Sequence, residues 1–207
     1  MVLVVGLGNP GKKYVGNRHN VGFMVAEKLL SEQSLPDPRD KFSGAFSKGA
    51  AFGGDVAVLM PHTFMNLSGD SVQPACAFLK IEPKDVVVVH DELDLPFGEV
   101  RLKVGGGHAG HNGLRSIIQR LGSQEFARVR VGIGRPPPGF RGEVADFVLS
   151  PFDALERAEL ADVLKRATEI VLDVLARGVA PAMNTHNKKL QGAKAPAKRA
   201  APPRSGD

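Results

Sequence analysis

Val2-Leu3-Val4-Val5-Gly6-Leu7 stands at the start of the chain. This unbroken apolar run, rich in β-branched side chains, predicts a short strand buried on both faces. Asn9-Pro10-Gly11 follows as a turn. Over residues 20–34, Val21, Met24, Val25, Leu29 and Leu30 recur at helical spacing, and Pro36 and Pro38 close the helix. A buried strand that feeds a helix through a short loop opens an α/β layered fold.

The alternation persists outward from that unit. Residues 44–52 and 55–60 predict a hairpin turning at Gly53-Gly54. Residues 66–80 read as helical, with Pro74 demanding a kink or a late start. Asp85-Val-Val-Val-Val-His90 is a second buried strand. A shorter polar-alternating strand covers 98–104, a glycine-rich loop 105–113, a helix 113–121 and another strand 127–134. Ser150 and Pro151 fit the cap and first turn of a long helix ending at Arg177, with Gly178 as its stop. The expectation is a single α/β domain over residues 1–187: a mixed, mostly parallel twisted sheet flanked by helices. Residues 188–207, dominated by Ala, Pro, Lys and Arg, form no apolar face and predict a disordered basic tail.

Charge narrows the function. Residues 188–207 hold six Lys/Arg against one Asp, so the net +5 of the chain sits in the tail and residues 1–187 balance at 21 against 21. Within that neutral body, residues 98–142 hold eight basic and two acidic side chains. One concentrated basic stretch on a neutral body suits a local anionic ligand. No apolar run approaches the roughly 20 residues of a membrane span, and no secretory signal opens the chain. A single cysteine, Cys76, excludes an internal disulfide framework and suits a cytoplasmic location.

Six clusters carry possible chemistry. Gly6-Leu-Gly-Asn-Pro-Gly11 matches the dinucleotide fingerprint in letters only. Pro10 removes an amide, the helix begins about ten residues late, and no acidic residue ends a second strand. Asn9, Tyr14 and Arg18-His19-Asn20 lie between a strand's carboxyl end and the next helix, where ligand sites of α/β proteins gather. His90-Asp91-Glu92 ends the most apolar strand. A carboxylate leaving one strand can fix the tautomer of a histidine leaving its neighbour. His90 itself alternates to the opposite face from Asp91 and reads as structural.

In Gly105-Gly-Gly-His-Ala-Gly-His-Asn-Gly113, five glycines in nine residues let backbone approach a ligand, and Asn112 is either a helix cap or a ligand contact. His108 and His111, three apart, also suit a metal pair with Asp91. Phe64, Met65 and Asn66 follow a strand and open a helix; Asn66 is again cap or cleft residue. Arg101 and Lys103 share one strand face, as do Arg128 and Arg130, a plausible phosphate clamp. Arg115 and Arg120 complete that stretch. No G-x-S-x-G elbow and no phosphate-binding Walker loop occurs, and Cys76 sits in an apolar helical setting unsuited to a nucleophile.

Taken together, these motifs resemble the bacterial peptidyl-tRNA hydrolase family. The resemblance runs from Leu3 to about Asn187. It rests on Val5-Gly-Leu-Gly-Asn-Pro-Gly11, Tyr14, Arg18-His-Asn-Val-Gly22, Thr63-Phe-Met-Asn-Leu-Ser-Gly69, His90-Asp-Glu-Leu-Asp-Leu-Pro96, the glycine-rich loop and Arg130-Val-Gly-Ile-Gly134. Two departures are Ala109, where glycine is usual, and Phe97, where proline is common. The resemblance implies a monomeric cytoplasmic esterase, with no cofactor, metal or obligate protein partner, that frees tRNA from ribosome-free peptidyl-tRNA. It implies His19 as general base, Asp91 as its stabiliser, and Asn9 as the position that separates N-blocked peptidyl-tRNA from aminoacyl-tRNA. It implies Asn66 and Asn112 on the peptide, with Met65 beside them, and Tyr14 and Phe64 near the ester and terminal adenosine. Lys103 and Arg130 are implied on the acceptor stem's 5′-phosphate. The alternatives are a non-catalytic RNA-binding protein using the same basic face, and a metal-dependent hydrolase built on His108, His111 and Asp91.

Overall fold

The computed structural model describes residues 1–188. The predicted tail, Lys188 apart, lies outside them. Seven strands form one sheet: β1 (Val2–Gly6), β2 (Arg39–Lys41), β3 (Gly44–Ala51), β4 (Gly54–Pro61), β5 (Val86–Glu92), β6 (Val100–Val104) and β7 (Ala127–Gly132). Their spatial order is β2-β3-β4-β1-β5-β7-β6. β1 lies at the centre, parallel to β4 and β5, and β5 is parallel to β7. β2, β3 and β6 run antiparallel to their neighbours. The sheet is therefore mixed, with its parallel strands in the middle, where apolar runs are covered on both sides.

Among the described residues six α-helices cover it: α1 (Val21–Glu32), α2 (Gly69–Leu79), α3 (Asn112–Leu121), α4 (Val144–Val148), α5 (Ala154–Arg177) and α6 (Val179–His186). Side-chain alternation along the strands divides the core in two. Val4, Val87 and Val89 pack with α1 and α5, while Leu3, Val5, Val86 and Val88 pack with α2 and α3. The hairpin turns one residue earlier than expected, at Phe52-Gly53, because Ala51 pairs with Gly54 and both turn residues take positive φ. α2 starts late, at Gly69, which leaves Pro74 inside the helix. The long helix is capped by an Asp153/Glu156 capping box, and Ser150 and Pro151 precede it. β2, α4 and α6 are too short to leave a clear periodic signal.

Gly6 of the false dinucleotide fingerprint, with Gly22, has a packing purpose. A Cβ on Gly6 would stand 2.4 Å from the Gly22 carbonyl oxygen, and one on Gly22 would stand 2.4 Å from the Val89 carbonyl oxygen. The first turn of α1 thus lies directly on β1 and β5. That close crossing carries the residues just before α1 over the carboxyl end of β5. At the far edge, the Asn187 side chain accepts from the Leu102 N–H at 3.0 Å and donates to the Leu102 carbonyl at 2.6 Å, pairing the open edge of β6.

Candidate active site

The carboxyl ends of β1, β4 and β5 open into a cleft of about 840 Å³. Asn9, Tyr14, His19, Phe64, Asn66 and Asp91 are among the residues that line it. His19 sits in a single 3₁₀ turn, Arg18–Asn20, that leads into α1. Its neighbours hold that turn from both ends. The Arg18 guanidinium bonds Glu156 of α5 at 2.5 Å and the Ser150 hydroxyl and Pro151 carbonyl at 2.6 Å each. The Asn20 side chain accepts from the Asn9 N–H and donates to the Asn9 carbonyl, both at 2.9 Å. His19 is consequently fixed in a nine-tenths buried position, with its Nδ1 2.8 Å from Asp91 Oδ1.

Asp91 receives a second imidazole. His111 Nε2 lies 3.0 Å from the same Oδ1. His111 is the N-cap of α3, and its Nδ1 accepts from the Gly113 and Leu114 N–H groups at 3.1 and 3.3 Å. A neutral imidazole carries one N–H, so the caps place the His111 proton on Nε2, aimed at Asp91. Asn112, expected as a possible cap, is instead the first helical residue and is exposed to the cleft.

Electrostatics follow from this packing. Burial alone would raise the Asp91 carboxyl, but the two imidazoles and their hydrogen bonds outweigh it and hold the group far below the usual carboxylate range. Burial pushes His19 down, while the Asp91 charge and hydrogen bond push it up, and the net shift is upward. His90 donates from Nδ1 to the Asp91 carbonyl oxygen at 2.8 Å and meets the His111 ring edge-on, 5.0 Å between centroids. Burial drives its pKa down to about 3, so its ring stays neutral at ordinary pH. It acts as the structural strand histidine expected, although it also touches the cleft.

His19, Asp91 and His111 offer ligand atoms within 4.8 Å of one another. Coordination through His111 Nε2 would move its proton to Nδ1, against two backbone N–H groups, so the trio fits a hydrogen-bonded cluster better than a metal centre. The alternative metal pair of His108 and His111 is not assembled with Asp91 among the described residues. His108 Nδ1 accepts from the Gly110 N–H while His111 turns to Asp91.

The remaining predicted residues separate into walls and open contacts. Asn9 Oδ1 accepts from the Met65 N–H at 2.8 Å, which leaves Nδ2 as the free donor end of the amide. Met65 is 4% exposed and braces the loop by packing on Gly113. Asn66 and Asn112 are exposed at the cleft, and neither side chain bonds another described residue. Phe64, 57% exposed, and half-buried Tyr14 both line the cleft.

The basic pairs face each other across β6 and β7, Arg101 opposite Arg130 and Lys103 opposite Arg128. Only part of this set is available to a ligand. Arg128 is buried, donating to the Gly106 and Gly107 carbonyls, and Arg101 binds Glu99 and the Asn187 carbonyl. Lys103 is exposed, and Arg130 shares its Nε with Glu92 at 2.9 Å. Arg120 is tied to Asp70, whereas Arg115 is exposed at the cleft. Sequence reasoning missed the capping role of His111 and the Arg18–Glu156 pair. Both depend on contacts distant in the chain, and only the position of His111 before a helix hinted at the first.

The family model described as "Peptidyl-tRNA hydrolase" matches residues 3–194. This chain belongs to the peptidyl-tRNA hydrolase family. A relative from Sorangium cellulosum (strain So ce56), named peptidyl-tRNA hydrolase, is 60% identical over 189 residues, covering 91% of this chain and 85% of its own. One from Syntrophotalea carbinolica with the same name is 47% identical, covering 92% and 98%. The crystal structure of peptidyl-tRNA hydrolase from Acinetobacter baumannii is similar at 41% identity and a TM-score of 0.82, covering 89% of this chain and 93% of that one. The family and the fold expected from the motifs are thus both found. No helix among the described residues is long and apolar enough to cross a membrane.

Proposed function

We propose that this chain is a metal-independent cytoplasmic monomer that hydrolyses the ester between a peptide and the 3′ ribose of tRNA. Family membership supports the reaction. The observation that carries the mechanism is the 2.8 Å contact between His19 Nδ1 and Asp91 Oδ1 on a cleft wall. Asp91 stays anionic and accepts the Nδ1 proton, so the His19 lone pair lies on Nε2. That nitrogen takes a proton from water as the water attacks the ester carbonyl, and Asp91 stabilises the imidazolium that forms. The ribose 3′-oxygen then leaves as an alcohol once it has a proton.

Substrate selection follows from the amides. With Oδ1 occupied by Met65, Asn9 presents N–H donors to the cleft. A donor there meets the carbonyl oxygen of an N-blocked residue and leaves a free ammonium unpaired. Asn66 and Asn112 are free to hold peptide backbone. Phe64 and Tyr14 offer rings to the terminal adenosine. Lys103 and Arg130 contact the 5′-phosphate and acceptor stem, a backbone reading that serves every tRNA.

Purified protein mixed with N-acetyl-aminoacyl-tRNA is expected to release free tRNA with or without excess EDTA. His19→Ala is expected to retain tRNA binding and lose about 10²–10⁴ in kcat. Full turnover by His19→Ala overturns the base assignment, and loss of wild-type activity in EDTA overturns metal independence.

A further inference from the structure

His111 takes no part in the proton transfer assigned to His19, yet it is built more tightly into the site than a bystander needs. Its ring is committed at both nitrogens. Nδ1 accepts from two backbone amides at the start of α3, at 3.1 and 3.3 Å. Nε2 donates to Asp91 Oδ1 at 3.0 Å, the same oxygen that holds His19 at 2.8 Å. The two rings stand 5.0 Å apart, tilted by 45°. The first turn of α3 thus selects the tautomer, and the tautomer sends a proton to the catalytic carboxylate.

We propose that His111 is a positioning residue that shares Asp91 with His19, fixing the carboxylate's orientation and limiting how strongly it holds a proton on His19. The proposal rests on the reading of His19 as the base. A general base is most effective when its proton affinity lies near the working pH. A fully buried carboxylate devoted to one imidazole would hold the imidazolium more tightly and move the base further from its working range. A second N–H on the same oxygen withdraws part of that attraction, because an anion satisfied by two donors gains less from either.

Other charges do not offer an equivalent control. The charged and titratable groups lining the same cleft are His90, Asp91, Glu92 and Asp94 at the end of β5, Lys103 of β6, Arg128 and Arg130 of β7, Arg135, and His108, His111 and Arg115 at the start of α3, with the Arg18–Glu156 pair beside the His19 turn. His90 is neutral, Glu92 is paired with Arg130, and Asp91 alone acts on the His19 proton. Adjusting Asp91 is therefore the direct way to adjust His19, and His111 is the other side chain bonded to that oxygen.

The test uses the full chain and His111→Asn, which keeps a capping oxygen for α3 but is too short to serve Asp91. His111→Ala, which loses both functions, serves as the companion. In the wild type, ¹⁵N NMR is expected to find the His111 proton on Nε2. In His111→Asn, the NMR titration midpoint of His19 is expected to rise by about half to one pH unit. The acid limb of kcat/KM on N-acetyl-aminoacyl-tRNA moves up with it. His111→Ala shows the same pH shift with an added fall in Tm. A His19 midpoint unchanged in folded His111→Asn, or a His111 proton found on Nδ1, overturns the proposal. A midpoint that moves while the kinetic limb stays still supports the tuning and instead refutes His19 as the base.

Discussion

Two ends of the cleft are built on opposite terms. At the carboxyl ends of β1 and β5, His19, Asp91 and Asn9 are buried and every position is fixed by hydrogen bonds reaching across 11 to 72 residues of chain. On the face made by β6, β7 and the glycine-rich loop, Lys103 and Arg115 are exposed and unpaired among the described residues, and Arg130 is half-buried against Glu92. The first end must hold a proton-transfer geometry to fractions of an ångström, which demands a dry, over-determined setting. The second must accept the phosphates of any tRNA, for which long charged side chains in water suffice. Substitutions should therefore change kcat at one end and KM with salt at the other.

The largest expected effect is at the buried end. Asp91→Asn keeps the shape but removes the charge, and its amide no longer selects the His19 tautomer. An equivalent loss in a related arrangement costs about 10⁴ in kcat, and a fall of at least 10³ is expected here. The pH profile adds a sign. Because Asp91 raises His19, the wild-type acid limb should lie above the ordinary histidine value of 6.5. Activity is lost as pH falls through that limb, since only the neutral ring is a base. In Asp91→Asn the limb should shift below 6.5, because burial then acts without its counterweight. A steady-state pH series on both proteins decides this, and a limb that stays in place removes Asp91 from control of the base.

The open face contains its own contrast, between two cations that stand opposite each other. Arg128 looked like half of a phosphate clamp, but it is spent on the Gly106 and Gly107 carbonyls. Arg128→Ala strips two carbonyls of a charged donor and should cost about 2–3 kcal/mol of stability, read as a lower Tm. Lys103→Ala should leave Tm unchanged, raise KM several-fold at low salt, and lower the slope of log KM against log salt by about 1. If Lys103→Ala leaves the salt slope intact, tRNA phosphate does not reach this face.

How much of this contrast was legible beforehand depended on distance along the chain. β1, α1 and β5 were readable because a run such as Val86–Val89 or the spacing of Val21, Val25 and Leu29 carries its own period. The exit positions of β1 and β5 marked His19 and Asp91 as partners. Which cations faced solvent was not readable, since Arg101, Arg128 and Arg130 share the same alternation and differ only in partners 2 to 86 residues away. His111 was ambiguous for a similar reason. Three-residue spacing from His108 suits a metal pair, and the contact with Asp91 that decides otherwise is 20 residues off.

His90 tests whether the buried end extends behind Asp91. Its pKa of about 3 means that the unfolded chain takes up a proton near pH 6.5 while the folded protein does not. Its contribution to stability is present above pH 6.5 and is lost as pH falls toward 3. Over the window between those two values, His90 adds at most about 1.4 kcal/mol per pH unit to the slope, the full difference of one proton between the states. His90→Gln keeps an N–H for the Asp91 carbonyl and should flatten that slope in denaturant melts. A slope unchanged by the substitution places the acid sensitivity elsewhere.

The smallest effect tests the loop that joins the two ends. The φ of Ala109, +47°, lies in the left-handed region that a Cβ disfavours. Ala109→Gly relieves that strain, roughly 1–2 kcal/mol, but adds freedom to the unfolded chain worth about 0.4–1 kcal/mol. The two partly offset, so the expected net is a stabilisation of about 0–1.6 kcal/mol. Function should respond with the same modesty. Ala109 is exposed on the cleft wall two residues before His111, and the bonds from Gly113 and Leu114 to the His111 ring anchor the start of α3 independently of it. A loop tightened only locally leaves kcat unchanged. If Ala109→Gly instead lowers kcat by tenfold or more with Tm preserved, the alanine is holding His111 against Asp91, and the strain at this position is part of how the buried end keeps its geometry.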